Sequence, residues 1–238
     1  MKPDQAATKN ILLTLLSPQA FSYLAPFMRL LDHPRDMVLV EKKNNFRYAY
    51  FPEEGLISSV VETQRGSPIE VGTVGREGFV GIPMVLGTRL SETKLFSQLA
   101  GSGWEVDAGD FESVLENNSE IRQLCNRFIM TAIFQATQTI ACNRTHSLEQ
   151  RCARWLLMST DREQIRSVSL TRAYLAMMVG YEEGVSVTLD GLRERDIVRY
   201  EIDSVVIKNR EKLETITCEC YSEVKANFEC AIRAKNSS

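Results

Sequence analysis

The stretch "EIRQLCNRFIMTAIFQATQTIAC", residues 120–142, restricts the fold more than any other part of the chain. Apolar residues recur on it at helical spacing, and they trace two stripes rather than one. One runs Ile121, Cys125, Phe128 and Ala132; the other runs Ile129, Ile133, Ala136 and Ile140. A helix with two apolar stripes must bury both. At the ~1.5 Å rise per residue it is about 35 Å long, which outruns the small domain it leaves. The expectation is that one stripe packs on that domain and the other on a second copy of the chain, giving a homodimer. Burial of both stripes within one subunit is the alternative.

The flanks of this helix obey different periodicities. Residues 4–30 read as two short helices broken at "SPQ", with Pro18 near the start of the second. From 36 to 106 come short strand-like runs, "DMVLV", "FRYAYF", "GLISSVVET", "PIEVGTV" and "KLFSQLAG", punctuated by "NN", "PEEG", "RGSP" and "GREG". Such spacing argues for a small antiparallel roll or barrel. "DAGDFESVLENN" reads as a short helix capped near Asp107. Beyond the long helix, "HSLEQRCARWLLMSTDRE" opens on a Ser147–Gln150 capping box and puts Leu148, Cys152, Trp155 and Leu156 on one face. Then come "SLTRAYLAMMVG", "EEGVSVTLDGLRERD" and the alternating "IVRYEIDSVVIKN": helix, turn, helix, hairpin.

Composition narrows the function classes. The 238 residues are 44% hydrophobic, enough for real cores, and the net charge is −3, so this is no polybasic coat protein. There is no run of eighteen apolar residues, and the apolar stretch near the N-terminus is short for a signal peptide. A cytoplasmic protein with no membrane partner is expected. The six cysteines (Cys125, Cys142, Cys152, Cys218, Cys220, Cys230) form no regular framework and lie in the C-terminal half, so reduced thiols are expected and an iron–sulfur cluster on the N-terminal half is not. Cys218 and Cys220 offer two metal ligands. No second pair and neither histidine, His33 or His146, is near them in sequence, so neither metal nor cofactor is expected. Nor is there a nucleophile–base set, a G-x-S-x-G or a Walker loop; the chain does not read as an enzyme.

The helices on either side of Gly180 have the outline of a DNA-reading helix-turn-helix. Leu175 and Met178 share a face of the first. Val185, Leu189 and Leu192 fall at i, i+4, i+7 on the second, leaving its other face to solvent or DNA. Thr171 is placed to cap the first helix, and Arg172 beside it is a natural phosphate contact, although a plain cap and a solvated arginine would look the same.

The stretches "YFPEEGLIS", "IEVGTVGREGFVGIPMVLG", "LEQRCARWLLMSTDR", "LAMMVG" and "LRERDIVRY", followed by "CECY", resemble the Crp/Fnr superfamily of bacterial transcription regulators over residues 36–222. The resemblance implies an α+β chain in three parts. They are an antiparallel, cyclic-nucleotide-binding-like β-roll domain with the N-terminal helices (1–118), a dimerisation helix (119–145), and a C-terminal winged helix-turn-helix domain with an extension (146–238). It implies a homodimer on palindromic double-stranded promoter DNA, with RNA polymerase as a candidate third partner. Carried onto this chain, the DNA contacts are Thr171, Arg172, Tyr181, Glu182, Glu183, Ser186, Thr188, Arg199 and Lys208.

Two departures from that pattern follow. Family members that bind cyclic AMP carry a Gly-Glu pair for the ribose and an arginine for the cyclic phosphate. Here Gly81 is followed by Ile82, and the nearby cations, Arg89 and Lys94, lie outside the family's context. A buried phosphate without its guanidinium would be several kcal/mol short of compensation. The expectation is that cyclic AMP does not bind and that "FVGIPMVLG" fills core. The second departure is charge. Glu182 and Glu183 stand where many relatives have arginines, Glu201 and Asp203 occupy the wing, and residues 169–208 hold five Lys/Arg against seven Asp/Glu. Each lost phosphate contact weakens binding through counterion release. Either the chain reads DNA in an unusual way, with a glutamate accepting from a cytosine amine, or it acts through protein contacts, for instance in heterodimers.

Overall fold

The computed structural model describes residues 3–62, 68–163, 167–168, 175–176, 179, 182–201 and 204–233. They fall into two compact units, one of residues 1–59, 72–132 and 228–238 and the other of 60–71 and 133–227.

The first unit opens with the two expected helices. Asn10 caps α1 (Ile11–Leu15) by accepting from the Leu13 amide, and Ser17 caps α2 (Pro18–Leu24) by accepting from the Ala20 amide, with Pro18 in the first turn. The strands are β1 (Arg29–His33), β2 (Val38–Val40), β3 (Tyr48–Pro52), β4 (Leu56–Val61), β5 (Ile69–Val74), β6 (Lys94–Leu99) and β7 (Gly101–Asp107). They form a three-stranded sheet in the order β1-β7-β3 and a four-stranded one in the order β2-β6-β4-β5. β1 and β7 were not evident in the sequence. Of β1 only His33 is buried, so it lacks apolar alternation. β7 begins "GSG" because backbones approach closely there: a Cβ on Gly101 would lie 2.2 Å from the Glu54 carbonyl oxygen, and one on Gly103 would lie 2.5 Å from that of Phe51.

Between the sheets and helices lies an aromatic centre. Phe79 stacks on Phe51 at 5.7 Å between centroids and meets Phe128 at 5.4 Å, with Phe111 edge-on to Phe51. The stretch expected to fill core does so through Phe79, Val80 and Met84, the last on the short α3 (Ile82–Val85); Leu86 is 64% exposed. α4 (Ala108–Asn117) starts at the expected cap, Asp107, which accepts from Gly109 N. α5 (Ser119–Thr145) follows at once, and its Glu120 accepts from the Ser17 amide and hydroxyl at 2.6 and 2.7 Å.

In the second unit, α6 (Leu148–Glu163) carries the expected capping box. The Ser147 amide donates to Gln150 Oε1 at 2.9 Å, and the Gln150 amide donates to Ser147 Oγ at 3.3 Å. Leu175, Ala176 and Val179 are helical and buried. α7 (Glu182–Glu194) leads into the hairpin β9 (Val198–Glu201) and β10 (Ser204–Ile207), and β8 (Ser167–Val168) pairs with the far side of β10. The C-terminal extension consists of α8 (Arg210–Ile216), capped by Asn209, and α9 (Cys220–Arg233).

Candidate nucleic-acid interface

α7 has an unambiguous inside. Val185, Leu189 and Leu192 are all at most 1% exposed, as their spacing predicts. Before it in the chain Leu175 and Val179 are buried too, and Arg151 donates to the Val179 carbonyl at 2.9 Å. The outside of α7 is marked by Val187, 74% exposed, between the partly buried Ser186 and Thr188. Single exposed apolar side chains are ordinary on protein surfaces, so Val187 marks which face of α7 is outward without assigning that face a partner. Glu182 and Glu183 are its first two residues, where the helix dipole favours negative charge.

The C-terminal end of α7 is held by its own turn. Asp196 adopts φ +56°, in the left-handed region, and the Ile197 amide reaches back to the Leu192 carbonyl at 3.0 Å. The Ile197 carbonyl in turn accepts from the amides of Lys208 and Asn209, which ties the exit of β10 to the exit of α7. Among the described residues Arg193 pairs with Asp190 at 3.5 Å, Arg195 with Glu149, and Lys208 with Asp196. These are exposed pairs of the kind that contribute about 0–1 kcal/mol, so a phosphate can exchange for the carboxylate at little cost.

Of the residues assigned to DNA, Ser186 and Thr188 lie on α7, Arg199 on β9 opposite Val206, and Lys208 just past β10. Thr171, Arg172, Tyr181, Met178 and Gly180 lie outside the described residues, as does Asp203 of the wing; of Glu182, Glu183 and Glu201 only the backbone is described. In the first unit the four residues matched to the ligand region have these surroundings. Gly81 precedes α3 with φ +129°, and Ile82 is the first residue of that helix. Arg89 makes a two-point bond to Glu112 (2.7 and 2.5 Å), which holds that carboxyl below its usual range, while Lys94 faces Glu41 at 3.5 Å.

The long helix divides along its length. Ile121, Cys125 and Phe128 of the first stripe are buried, and so is Ile129, the first residue of the second. Ala132 is partly buried, and Ala136 is exposed. The uncovered face comprises Met130, Ile133, Thr137 and Ile140, a heptad-like 3–4–3 spacing, with Ile133 54% and Ile140 73% exposed.

One group escaped the sequence reading. Cys142 and His146, at the end of α5, meet Cys218 and Cys220, at the α8–α9 link, with all ligand atoms within 4.8 Å of one another. Burial pushes the Cys142 thiol up and, with the hydrogen bond to Cys142, the Cys218 thiol up to about 12. A Cys-x3-His and a Cys-x-Cys were there to be seen, but 76 residues separate Cys142 from Cys218.

Residues 150–216 match the family model of the Crp-like helix-turn-helix domain. Similar folds include FixK2 from Bradyrhizobium japonicum, at 15% identity and a TM-score of 0.69, covering 80% of this chain and 98% of that one. Another is the c-di-GMP-responsive global regulator CLP of Xanthomonas campestris (14% identity, TM-score 0.67, 80% and 99% covered). A third is a Crp-family transcriptional regulator from Thermus thermophilus (20% identity, TM-score 0.64, 79% and 95% covered). No curated protein sequence matches the chain. Domain match and fold agree: the chain has the Crp/Fnr-regulator fold, with a Crp-like helix-turn-helix domain at residues 150–216.

Proposed function

We propose that the chain is a homodimeric transcriptional regulator of the Crp/Fnr type that binds promoter DNA in the cytoplasm and does not respond to cyclic AMP. The observation that carries the reading is α7. It lies within the matched segment, its apolar face is sunk, and its opposite face presents Val187. The uncovered face of α5 supports the dimer, and two recognition helices on one dimer favour an inverted repeat with half-sites about one helical turn apart. Selection from random duplex DNA by the full chain tests this, and enrichment of such a repeat is the expected outcome. Failure to enrich any sequence at low salt would sink it.

Ile82 and the partnered Arg89 and Lys94 support the exclusion of cyclic AMP, since neither a ribose carboxylate nor an unengaged guanidinium is supplied. Calorimetry should show no binding; a dissociation constant at or below about 10 μM, roughly −7 kcal/mol, would overturn this.

A second reading, action through protein contacts without DNA, is favoured by the acidic balance of residues 169–208 and by the in-chain partners of Arg193, Arg195 and Lys208. Retention on a DNA column at low salt separates the two. No enzymatic activity belongs to either.

A further inference from the structure

The thiols at the end of α5 are not ordinary core filling. Cys142, Cys218 and Cys220 are 1%, 4% and 1% exposed, and among the described residues they form a buried cluster with no aliphatic or aromatic member. Thiols that only fill space are mixed with hydrocarbon; here three face one another and one imidazole. Cys142 Sγ is 3.5 Å from Cys218 Sγ, and Cys220 Sγ is 3.6 Å from His146 Nδ1. Around a tetrahedral zinc ion, with Zn–S about 2.3 Å and Zn–N about 2.05 Å, the edges are about 3.8 Å for S···S and about 3.6 Å for S···N. The observed separations are already near those edges. Cys142 and His146, four apart, share one face of the helical end; Cys218 lies in the short link after α8 and Cys220 is the first residue of α9.

The surroundings fit a cation as well. The other imidazole nitrogen, His146 Nε2, lies 3.1 Å from Glu219 Oε1, the arrangement in which a carboxylate fixes a ligating histidine's ring and tautomer. Gln138 Nε2 donates to Cys220 Sγ at 3.3 Å, as suits a thiolate. The Thr145 hydroxyl, the other neighbour of Nδ1 at 3.3 Å, already donates to the Ala141 carbonyl. Arg154 is 8% exposed, its Nη1 has no hydrogen-bond partner, and its charge acts on Cys142. Three thiolates, a neutral imidazole and a divalent ion sum to one negative charge, which this buried guanidinium offsets.

We propose that Cys142, His146, Cys218 and Cys220 form a closed, four-ligand structural zinc site that fastens the end of α5 to the link between α8 and α9. Thiolate-rich tetrahedral donors select zinc over the harder divalent ions, and with four protein ligands the site keeps no open position for a substrate. The expectation of no metal, drawn from sequence spacing, gives way here because folding supplies the two missing ligands.

The test uses the full chain, purified under reducing conditions. Elemental analysis should find about one zinc per chain, and the stripped protein should take up Co(II) with the intense visible bands of tetrahedral thiolate coordination. Cys218→Ser should lose at least about tenfold in zinc affinity in chelator competition, while Cys230→Ser, at an exposed cysteine, should keep the metal. Should Cys218→Ser fail to fold, the wild-type cobalt spectrum still decides the matter. A folded wild-type chain that binds neither ion when reduced would overturn the site, as would octahedral cobalt bands. Iron with sulfide in place of zinc would overturn the metal assignment, and a Cys142–Cys218 disulfide that persists in reductant would overturn the ligand assignment.

Discussion

The two halves of α5 belong to one unbroken helix, yet their large apolar side chains differ in exposure. Up to Ile129 its apolar side chains are sunk: Ile121 is 2% exposed and Phe128 4%. Beyond that, Met130, Ile133 and Ile140 are 61%, 54% and 73% exposed. An apolar stripe says that a helix face has to be covered; it does not say by what. The apolar side chains of the first half are core; in the second half Cys142 is buried at 1% while Met130, Ile133 and Ile140 stay on the surface. The largest effect is therefore expected in the first half. Phe128 sits on Phe79, and a Cβ on Gly78 would come within 2.1 Å of its ring. Phe128→Ala should cost about 3–5 kcal/mol in urea unfolding followed by the fluorescence of Trp104 in a Trp155→Phe background, a large part of a typical domain's stability. A loss below about 1 kcal/mol would break the contrast at once.

The complementary change is Ile133→Asp. If the exposed face meets a second copy, this substitution removes a central contact twice per dimer. The dissociation constant from sedimentation should rise at least about thirtyfold, the equivalent of about 2 kcal/mol. Monomer stability, measured below that constant, should stay within about 0.5 kcal/mol of wild type. A wild-type protein already monomeric at micromolar concentration would mean that the stripe has some other cover.

How far the sequence could see follows from the same contrast. Periodic features were legible: the Ser147–Gln150 box, the Asp107 cap, and the Val185, Leu189, Leu192 face of α7. They depend on neighbours within a turn or two. Ile129 shares its helix face with Ile133 and Ile140 but is 5% exposed, because periodicity gives a residue's face and not how far along the helix the covering neighbours extend. β1 and β7 stayed hidden because one is an edge strand with little to bury and the other begins with glycines demanded by close backbones. The Cys142, His146, Cys218, Cys220 group was invisible for a different reason: each half is a weak pattern alone, and only the fold joins them. The pocket departures were visible as absences in a resemblance, yet the carboxylate partners of Arg89 and Lys94 were not.

The contrast extends to α7, whose inner face is settled and whose outer face is the proposal. Glu182 and Glu183 head that helix. If it enters a major groove, both lie within a Debye length, about 8 Å at physiological salt, of backbone phosphates. Changing both to Arg should raise general DNA affinity at least about tenfold and steepen the dependence of log affinity on log salt by roughly 0.9 per added contact. If one glutamate reads a cytosine, discrimination between selected and scrambled duplexes should fall while the general affinity rises. Unchanged affinity and slope on both DNAs would mean that this helix never meets DNA, and the protein-contact reading would take over.

The smallest effect tests whether the first unit's polar interior is as closed as its apolar one. His33 is 1% exposed at the end of β1, with Nδ1 2.6 Å from Ser97 Oγ, Nε2 3.3 Å from the Glu54 carbonyl, and the Tyr50 ring edge-on at 5.5 Å. Burial lowers its pKa below the ordinary 6.5, against the opposing pull of the Glu54 carbonyl and the Asp32 charge. A histidine kept neutral in the fold and protonated more readily in the unfolded chain makes stability rise with pH between the two pKa values. Its contribution is thus complete above 6.5 and is lost as pH falls from there through the lowered folded value. One proton at most is involved, so the slope it adds cannot exceed about 1.4 kcal/mol per pH unit. Unfolding free energies of wild type and His33→Gln, taken at intervals from pH 7.5 down to about 5, should converge as the pH falls, because the variant lacks this slope. Carboxylates shared by both proteins cancel in the difference. Parallel curves would show that the imidazole takes up its proton as readily in the fold as in the unfolded chain, and that burial does not hold it neutral.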